Sequence, residues 1–515
     1  MSTRRQFIEH SALAFLGMSS ISSFAQFSIG NTQAFFEKVS PESVGVDSQA
    51  LVNFLRAADT SGLEWHSIAF LRHGKLFAEA YWSPFKQDAK HTLYSLSKSF
   101  TSTAIGLAVA EGHFSVEDPV IGFFPKDLPS EMSPFLKELK VKHLLTMNVG
   151  HEKEVNLRAA TDKTWVQAFL AHPIVNKPGT KFLYNTPATY MLGAILYQTT
   201  GKTLEEYLKP RLFDKLGIKN YDWEKSPQGL NTAGYGLRIS TRDIAKFGQL
   251  YIQKGVWEGK RILSESWIGQ ATRRLVDSQE GDSDWSQGYG YQFWRCKPEP
   301  GFFRGDGAYG QYCIMIPQYD MVLAVNSESF NMGKSMQIIW DHVLPGVKDK
   351  PLAFNKAAND ELNKLSKSLQ IAPPKAQKSS SLLSKINNKT IQLQENEFGI
   401  KSFKINIVGT SGSLSLDGKS QMKFGMESWQ TNAADLKNAF PLAGRIHVPS
   451  QMAASATWLD DNTLQINRKF IESVHGDWLT LKFSDQSVSL HFQNSVAANS
   501  NGATDPRKEI QGKII

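Results

Sequence analysis

The feature that most limits what this chain can fold into is a change of hydrophobic period after Leu369. Before it, apolar residues recur mainly at helical spacing, interrupted by a few short strand-like runs. From about Ile386 they fall on every second position. Phe403/Ile405/Ile407, Leu414/Leu416, Leu479/Leu481/Phe483 and Val488/Leu490/Phe492 alternate with polar residues, with turns such as Asp460-Asp461-Asn462. Several antiparallel strands at this spacing predict a barrel or sandwich of about 110 residues. A charged helix from Asn355 to Leu369, then Ala372-Pro373-Pro374-Lys375 and Ser379-Ser380-Ser381, read as the connection between two domains. A chain of 515 residues has room for both cores.

The first domain, 38–345, mixes its elements. A helix is expected from Ser48 to Ala58. The runs Ser67 to Arg72 and Leu76 to Tyr81, joined at His73-Gly74-Lys75, carry a hairpin signature. Residues 113–260 read as helices and loops, with Ser240-Thr241-Arg242-Asp243 as a structural capping box ahead of Ile244, Phe247 and Leu250. Gly288 to Trp294, Tyr312 to Ile316 and Met321 to Val325 read as strands, and a helix from Gln337 to Leu344 closes the domain. Strands at both ends with helices between them predict an α+β fold: an antiparallel sheet flanked by helices, plus a helical lobe. The second domain is placed at 386–497, the connection at 346–385, and the polar tail from Ala498 is expected to be disordered.

The N-terminus reads as a targeting segment. Arg4-Arg5-Gln6-Phe7-Ile8, an apolar stretch from Ser11 to about Phe24 and the small-residue end Ser23-Phe24-Ala25 resemble a twin-arginine signal, residues 1–25. It implies a periplasmic or secreted bacterial protein. No other run approaches the roughly 20 apolar residues of a membrane span. The net charge of +8 is the small difference of 57 basic and 49 acidic residues. No dense basic stripe interleaved with aromatics occurs, which argues against nucleic acid as a partner. Two cysteines, Cys296 and Cys313, cannot make a disulfide framework or a cysteine metal site and are expected buried and free. There is no His-Glu-x-x-His, no Gly-x-Gly-x-x-Gly opening a helix and no Gly-x-Ser-x-Gly elbow, which argues against a metalloprotease, a nucleotide enzyme and an α/β-hydrolase in turn; no metal or organic cofactor is expected.

Chemistry concentrates at Ser95. From there Leu96, Phe100, Ile105, Leu107 and Ala108 form an apolar helical face with a stop at Gly112. Ser95 and Lys98 lie one turn apart on one face. A serine at a helix start has free backbone N–H groups beside it, and a buried lysine of lowered pKa can take its proton. Ser-x-x-Lys also occurs at Ser83–Lys86 and Ser420–Lys423. Pro84 breaks the first, and the strand pattern of the last points the two side chains to opposite faces.

Taken with Tyr184-Asn185-Thr186 ahead of Tyr190-Met191-Leu192-Gly193, and Ala308-Tyr309-Gly310-Gln311 directly before a strand, Ser95-Leu96-Ser97-Lys98 completes a set of motifs in order. The stretch from 38 to 345 resembles the serine β-lactamase and penicillin-binding-protein superfamily, in particular its class C-like branch of esterases and D-aminopeptidases. The resemblance implies a β-lactamase/transpeptidase-like domain in which Ser95, Lys98 and Tyr184 are catalytic. It also implies an oxyanion hole from the backbone N–H groups of Ser95 and Gln311, with Asn185, Gly310 and Asp306 contacting substrate. Two departures stand out. Asparagine occupies the middle of the second motif, leaving Thr186 where the family's asparagine stands. Ala308 replaces the family's lysine or histidine, which argues against substrates bearing a carboxylate; Arg304 or Asp306 could compensate. The C-terminal domain resembles the lipocalin-like barrels of some D-aminopeptidases.

The expected protein is an exported serine hydrolase cleaving an ester or amide of a small molecule or peptide through an acyl-serine intermediate. The alternatives are a D-amino-acid peptidase, a β-lactamase, or a non-catalytic penicillin-binding-type sensor.

Overall fold

The computed structural model describes residues 36–299, 301–433, 451–500 and 503–515. The expected signal segment, 1–25, lies outside the described residues. Among them, no helix is long and apolar enough to cross a membrane.

Among the described residues, the first domain is built on a six-stranded antiparallel sheet flanked by helices. Its order is Lys75–Tyr81, Glu64–Arg72, Met321–Glu328, Gln311–Ile316, Phe303–Gly307 and Trp294–Arg295. The N-terminal hairpin therefore docks on strands about 250 residues later in the chain, in a register from Glu64 opposite Glu328 to Arg72 opposite Met321. Both faces are covered, which is why Ile314-Met315-Ile316 and Met321 to Val325 are apolar without alternation. Ile314, Leu323 and Val325 point to the side packed by Ser48–Thr60 and Met332–His342. Met315, Val322 and Ala324 point to the side packed by Thr241–Ile252 and the Ser97–Ala110 helix. A helical lobe, including Trp165–Ala171 and Thr186–Thr200, packs on that second side.

One expected strand is not there. Gly288 to Trp294 forms a tight excursion, with only Trp294–Arg295 joining the sheet. Left-handed backbone at Gly288 (φ 97°) and Gln292 (φ 66°) reverses the chain, so Tyr289 bridges Trp294. The alternation of aromatic residues that looks like a strand instead packs Tyr289, Tyr291 and Phe293 into the core, while the Gln292 amide donates to Leu144 O and Leu145 O. Both cysteines are buried and free.

Among the described residues, the second domain forms a closed barrel of nine strands. Eight neighbours pair antiparallel, and a short parallel contact, Gly425 opposite Ser455 and Met426 opposite Ala456, closes the ring. Inward side chains such as Phe403, Leu414, Trp458 and Leu479 fill it. The expectation of a disordered tail from Ala498 is corrected here. Ile510–Ile514 is the ninth strand, inserted between Thr390–Leu393 and Ser487–Asn494. Without it the first and penultimate strands would present two unpaired edges. Ile510 is buried, and Arg507 just before it pairs with Asp505 and Asp477.

The barrel seats on the first domain through a small apolar cluster, Phe85 and Ala89 against Ala453 and Ile471. Beside it Lys469 pairs with Glu64, with Nζ 2.6 Å from Oε2.

Candidate active site

Ser95 lies in a short 3-10 turn, Tyr94–Leu96, that runs directly into the Ser97–Ala110 helix. The turn follows the short strand His91–Thr92, paired with Leu237–Ile239. Tyr94 has left-handed backbone, φ 47°. For a residue other than glycine this costs of order 1–3 kcal/mol and persists only where surrounding contacts fix it. The turn packs against the strands Phe303–Gly307 and Gln311–Ile316. A side chain at Gly307 would place its Cβ 2.1 Å from Leu93 O, so this approach requires glycine.

Lys98 is 1% exposed, and its Nζ makes three contacts: Ser95 Oγ at 3.0 Å, Gly234 O at 2.8 Å and Thr186 Oγ1 at 3.3 Å. Burial, only partly offset by the carboxylates of Glu154 and Asp306, draws its amine down to about 7. Near neutral pH a large fraction of it is therefore unprotonated and able to accept a proton from the hydroxyl beside it. The Gly234 carbonyl reaches Lys98 because residue 234 lacks a Cβ, which would sit 2.6 Å from Thr186 Cγ2.

Tyr184 stands on the other side of Ser95. Lys98 Nζ is 4.9 Å from the centre of its ring, which stacks on Trp294 at 5.5 Å between centroids. Burial raises its phenol far above the ordinary value, and a hydrogen bond with Ser95 partly opposes this. The phenol thus stays protonated and can donate. Serine hydroxyl, amine and phenol converge as a nucleophile, a base and a proton carrier would.

Ser95 opens into a cavity of about 790 Å³, lined also by Tyr94, Glu154, Trp165, Thr186, Tyr190, Ala308 and Tyr309. Glu154 Oε1 accepts from Thr186 N at 2.8 Å. Arg158 and Arg238, also at the wall, are paired with Glu224 and Asp222. Ser473, from the barrel, completes the lining.

The expected substrate contacts fare differently. Asn185 is fully buried: its Oδ1 caps the Thr186–Thr200 helix by accepting from Ala188 N, and its Nδ2 donates to His151 Nδ1 at 3.0 Å. Burial draws His151 down to about 3, which keeps it a neutral acceptor. Asp306 is spent on Arg304 Nε at 3.0 Å and on the Trp285 indole N–H at 2.9 Å. Arg304 and Asp306 are two apart on one strand and share a face, so each neutralises the other rather than the cavity. Gly310 supplies a left-handed turn, φ 86°. None of these three lines the cavity, whereas Ala308 and Tyr309 do. Gln311 is buried, with its side-chain amide donating to Ala308 O and Ser327 O, which fixes the turn preceding its strand. Glu154, Gly234, Tyr94 and the barrel residue Ser473 carry no local signature. Among the described residues no cluster of His, Cys, Asp and Glu could hold a metal ion.

The β-lactamase family model matches residues 57–348. The 6-aminohexanoate-dimer hydrolase of Paenarthrobacter ureafaciens is 25% identical over 273 residues, covering 49% of this chain and 70% of that protein. A β-lactamase of Pseudomonas fluorescens is 25% identical over 234 residues, 38% of this chain and 60% of its own length. The solved D-stereospecific amidohydrolase from Streptomyces sp. aligns with a TM-score of 0.46 at 16% identity, over 58% of this chain and 98% of that one.

Proposed function

Because the chain belongs to the β-lactamase family and is a serine hydrolase, we propose that it cleaves an ester or amide through an acyl intermediate on Ser95. The observation that carries this reading is the buried Lys98 amine, drawn down to about 7 and held 3.0 Å from Ser95 Oγ. Ser95 Oγ attacks the substrate carbonyl carbon as its proton passes to Lys98 Nζ. The negative charge moves to the carbonyl oxygen, which the N–H groups of Ser95 and Gln311 receive; such donors commonly contribute about 3–4 kcal/mol to the barrier reduction. The Tyr184 phenol donates its proton to the leaving oxygen or nitrogen as the bond to carbon breaks, and is reprotonated from Lys98. Water then attacks the acyl-enzyme by the same route, returning Ser95 as the hydroxyl.

Beside Ser95, position 308 offers a methyl group and Glu154 offers a carboxylate, so neutral or cationic acyl groups fit better than carboxylate-bearing ones. This ranks small esters and amides ahead of D-amino-acid peptides, and both ahead of β-lactams. Relatives named as a 6-aminohexanoate-dimer hydrolase and as a β-lactamase are compatible with this reading. The twin-arginine-like segment at residues 1–25 places the activity, in this reading, outside the cytoplasm.

The test is a panel of a p-nitrophenyl ester, an N-acyl-D-alanyl-D-alanine peptide and a chromogenic cephalosporin, run on the wild type, Ser95→Ala and Lys98→Ala. Turnover is expected in that order of preference and should vanish in both variants. Hydrolysis that survives Ser95→Ala would refute the proposal.

A further inference from the structure

We infer that the barrel is part of the active site: His475 is a positioning residue that holds the Ser95 turn through Tyr94. The inference rests on the acyl-Ser95 reading for its catalytic consequence but not for its geometry. The Tyr94 hydroxyl lies 2.6 Å from His475 Nε2, and His475 Nδ1 lies 2.6 Å from Glu328 Oε1. A carboxylate only accepts, so Nδ1 carries a ring proton, and in the neutral ring Nε2 accepts from the Tyr94 hydroxyl. The imidazole is buried and fixed at both nitrogens, and the Tyr309 ring packs edge-on against it at 4.6 Å. Glu328 ends a central strand of the catalytic sheet, and Ser495 of the barrel also bonds to it.

The same barrel segment grips the chain two residues earlier, where Thr92 Oγ1 donates to Glu472 O at 3.3 Å. Two successive anchors, at residues 92 and 94, thus hold the strand and turn that deliver Ser95. The left-handed backbone at Tyr94 is the conformation that needs holding. Docking alone does not call for this. The apolar cluster of Phe85, Ala89, Ala453 and Ile471 already seats the barrel, whereas a buried chain of polar groups fixes geometry only where every member is satisfied. That chain terminates on the residue next to the nucleophile.

The test compares full-length wild type with His475→Ala, His475→Gln and Tyr94→Phe. Trp429→Phe serves as a docking control: it removes a hydrogen bond to Ile371 O beside the apolar cluster that seats the barrel and leaves the Tyr94–His475 bond in place. Two quantities are read on the Ser95 turn itself, amide hydrogen exchange in peptides covering Leu93 to Ser97 and the rate of Ser95 modification by a fluorophosphonate, with KM for a small ester as a third. His475→Ala and Tyr94→Phe should speed exchange at Leu96 and Ser97 by about tenfold and slow modification by about tenfold, equivalent to about 1.4 kcal/mol. KM for a small ester should stay within about threefold, His475→Gln should recover most of the rate, and Trp429→Phe should change neither readout. Unchanged exchange at 93–97 in His475→Ala and Tyr94→Phe would overturn the inference, as would an equal effect in Trp429→Phe. A wild type that never labels would refute the acyl-Ser95 reading, while the exchange data would still decide the role of His475.

Discussion

Lys98→Met should reshape the pH dependence of stability in a way that an exposed lysine substitution would not. Burial lowers the Lys98 amine from 10.5 to about 7 in the folded protein. In the unfolded chain it keeps the ordinary value. Between these limits the unfolded state binds the extra proton, so wild-type stability rises with pH by about 1.4 kcal/mol per unit, about 5 kcal/mol across the window. Below pH 7 both states are protonated and the full cost of a buried ammonium is present. Methionine removes the titration, and with it the slope. It also strips the Gly234 carbonyl of the donor 2.8 Å away, a loss of about 1–3 kcal/mol that does not depend on pH. At pH 7 the variant should therefore be more stable by roughly 2–4 kcal/mol. Near pH 10.5 little more than the lost hydrogen bond remains, so it should be less stable by about 1–3 kcal/mol, and the two curves cross. Urea denaturation of both proteins, followed by far-ultraviolet circular dichroism in half-unit pH steps, measures the difference directly. Parallel curves across the window would refute the assignment of Lys98 as a neutralised buried base.

The same titration should appear in catalysis: kcat/KM rises with pH through about 7 as Lys98 loses its proton, and is lost below it. A profile flat from about pH 5 to 9 would contradict this. Tyr184→Phe should lower kcat by about 100-fold or more with an unchanged melt, read on a p-nitrophenyl ester. Gly307→Ala pushes a Cβ to 2.1 Å from Leu93 O; a loss of stability of about 1–3 kcal/mol and a slowed Ser95 are expected, from a melt and labelling kinetics. Deleting residues 508–515 removes the ninth barrel strand. Limited proteolysis should then cut within 451–500 faster than in the intact chain, and concentration-dependent association should appear in sedimentation.

What could be read from the sequence was local. Ser95 and Lys98 are three apart where a 3-10 turn runs into a helix, so spacing alone brings hydroxyl and amine together, and the structure puts them 3.0 Å apart. The alternating strands of the barrel and the hairpin at His73-Gly74-Lys75 are signals of the same short range. Gly288 to Trp294 misleads because alternating aromatics look the same in a strand and in a packed excursion, and only the left-handed Gln292 separates them. Asn185 and Asp306 look available until their partners are seen; His151 and Arg304 consume them. The short strand Ile510–Ile514 carries too few alternating residues to stand out in a polar tail, and its place is fixed by the two edges it joins. His475 could not be found at all, because it meets Tyr94 across 381 positions of chain.

The central claim is that Ser95 is an activated nucleophile, and intact-mass spectrometry after exposure to a fluorophosphonate tests it most directly. The account predicts a single adduct, mapped to the peptide containing Ser95, absent in Ser95→Ala and strongly slowed in Lys98→Met. No adduct on folded protein, or an adduct that persists in Ser95→Ala, would contradict it.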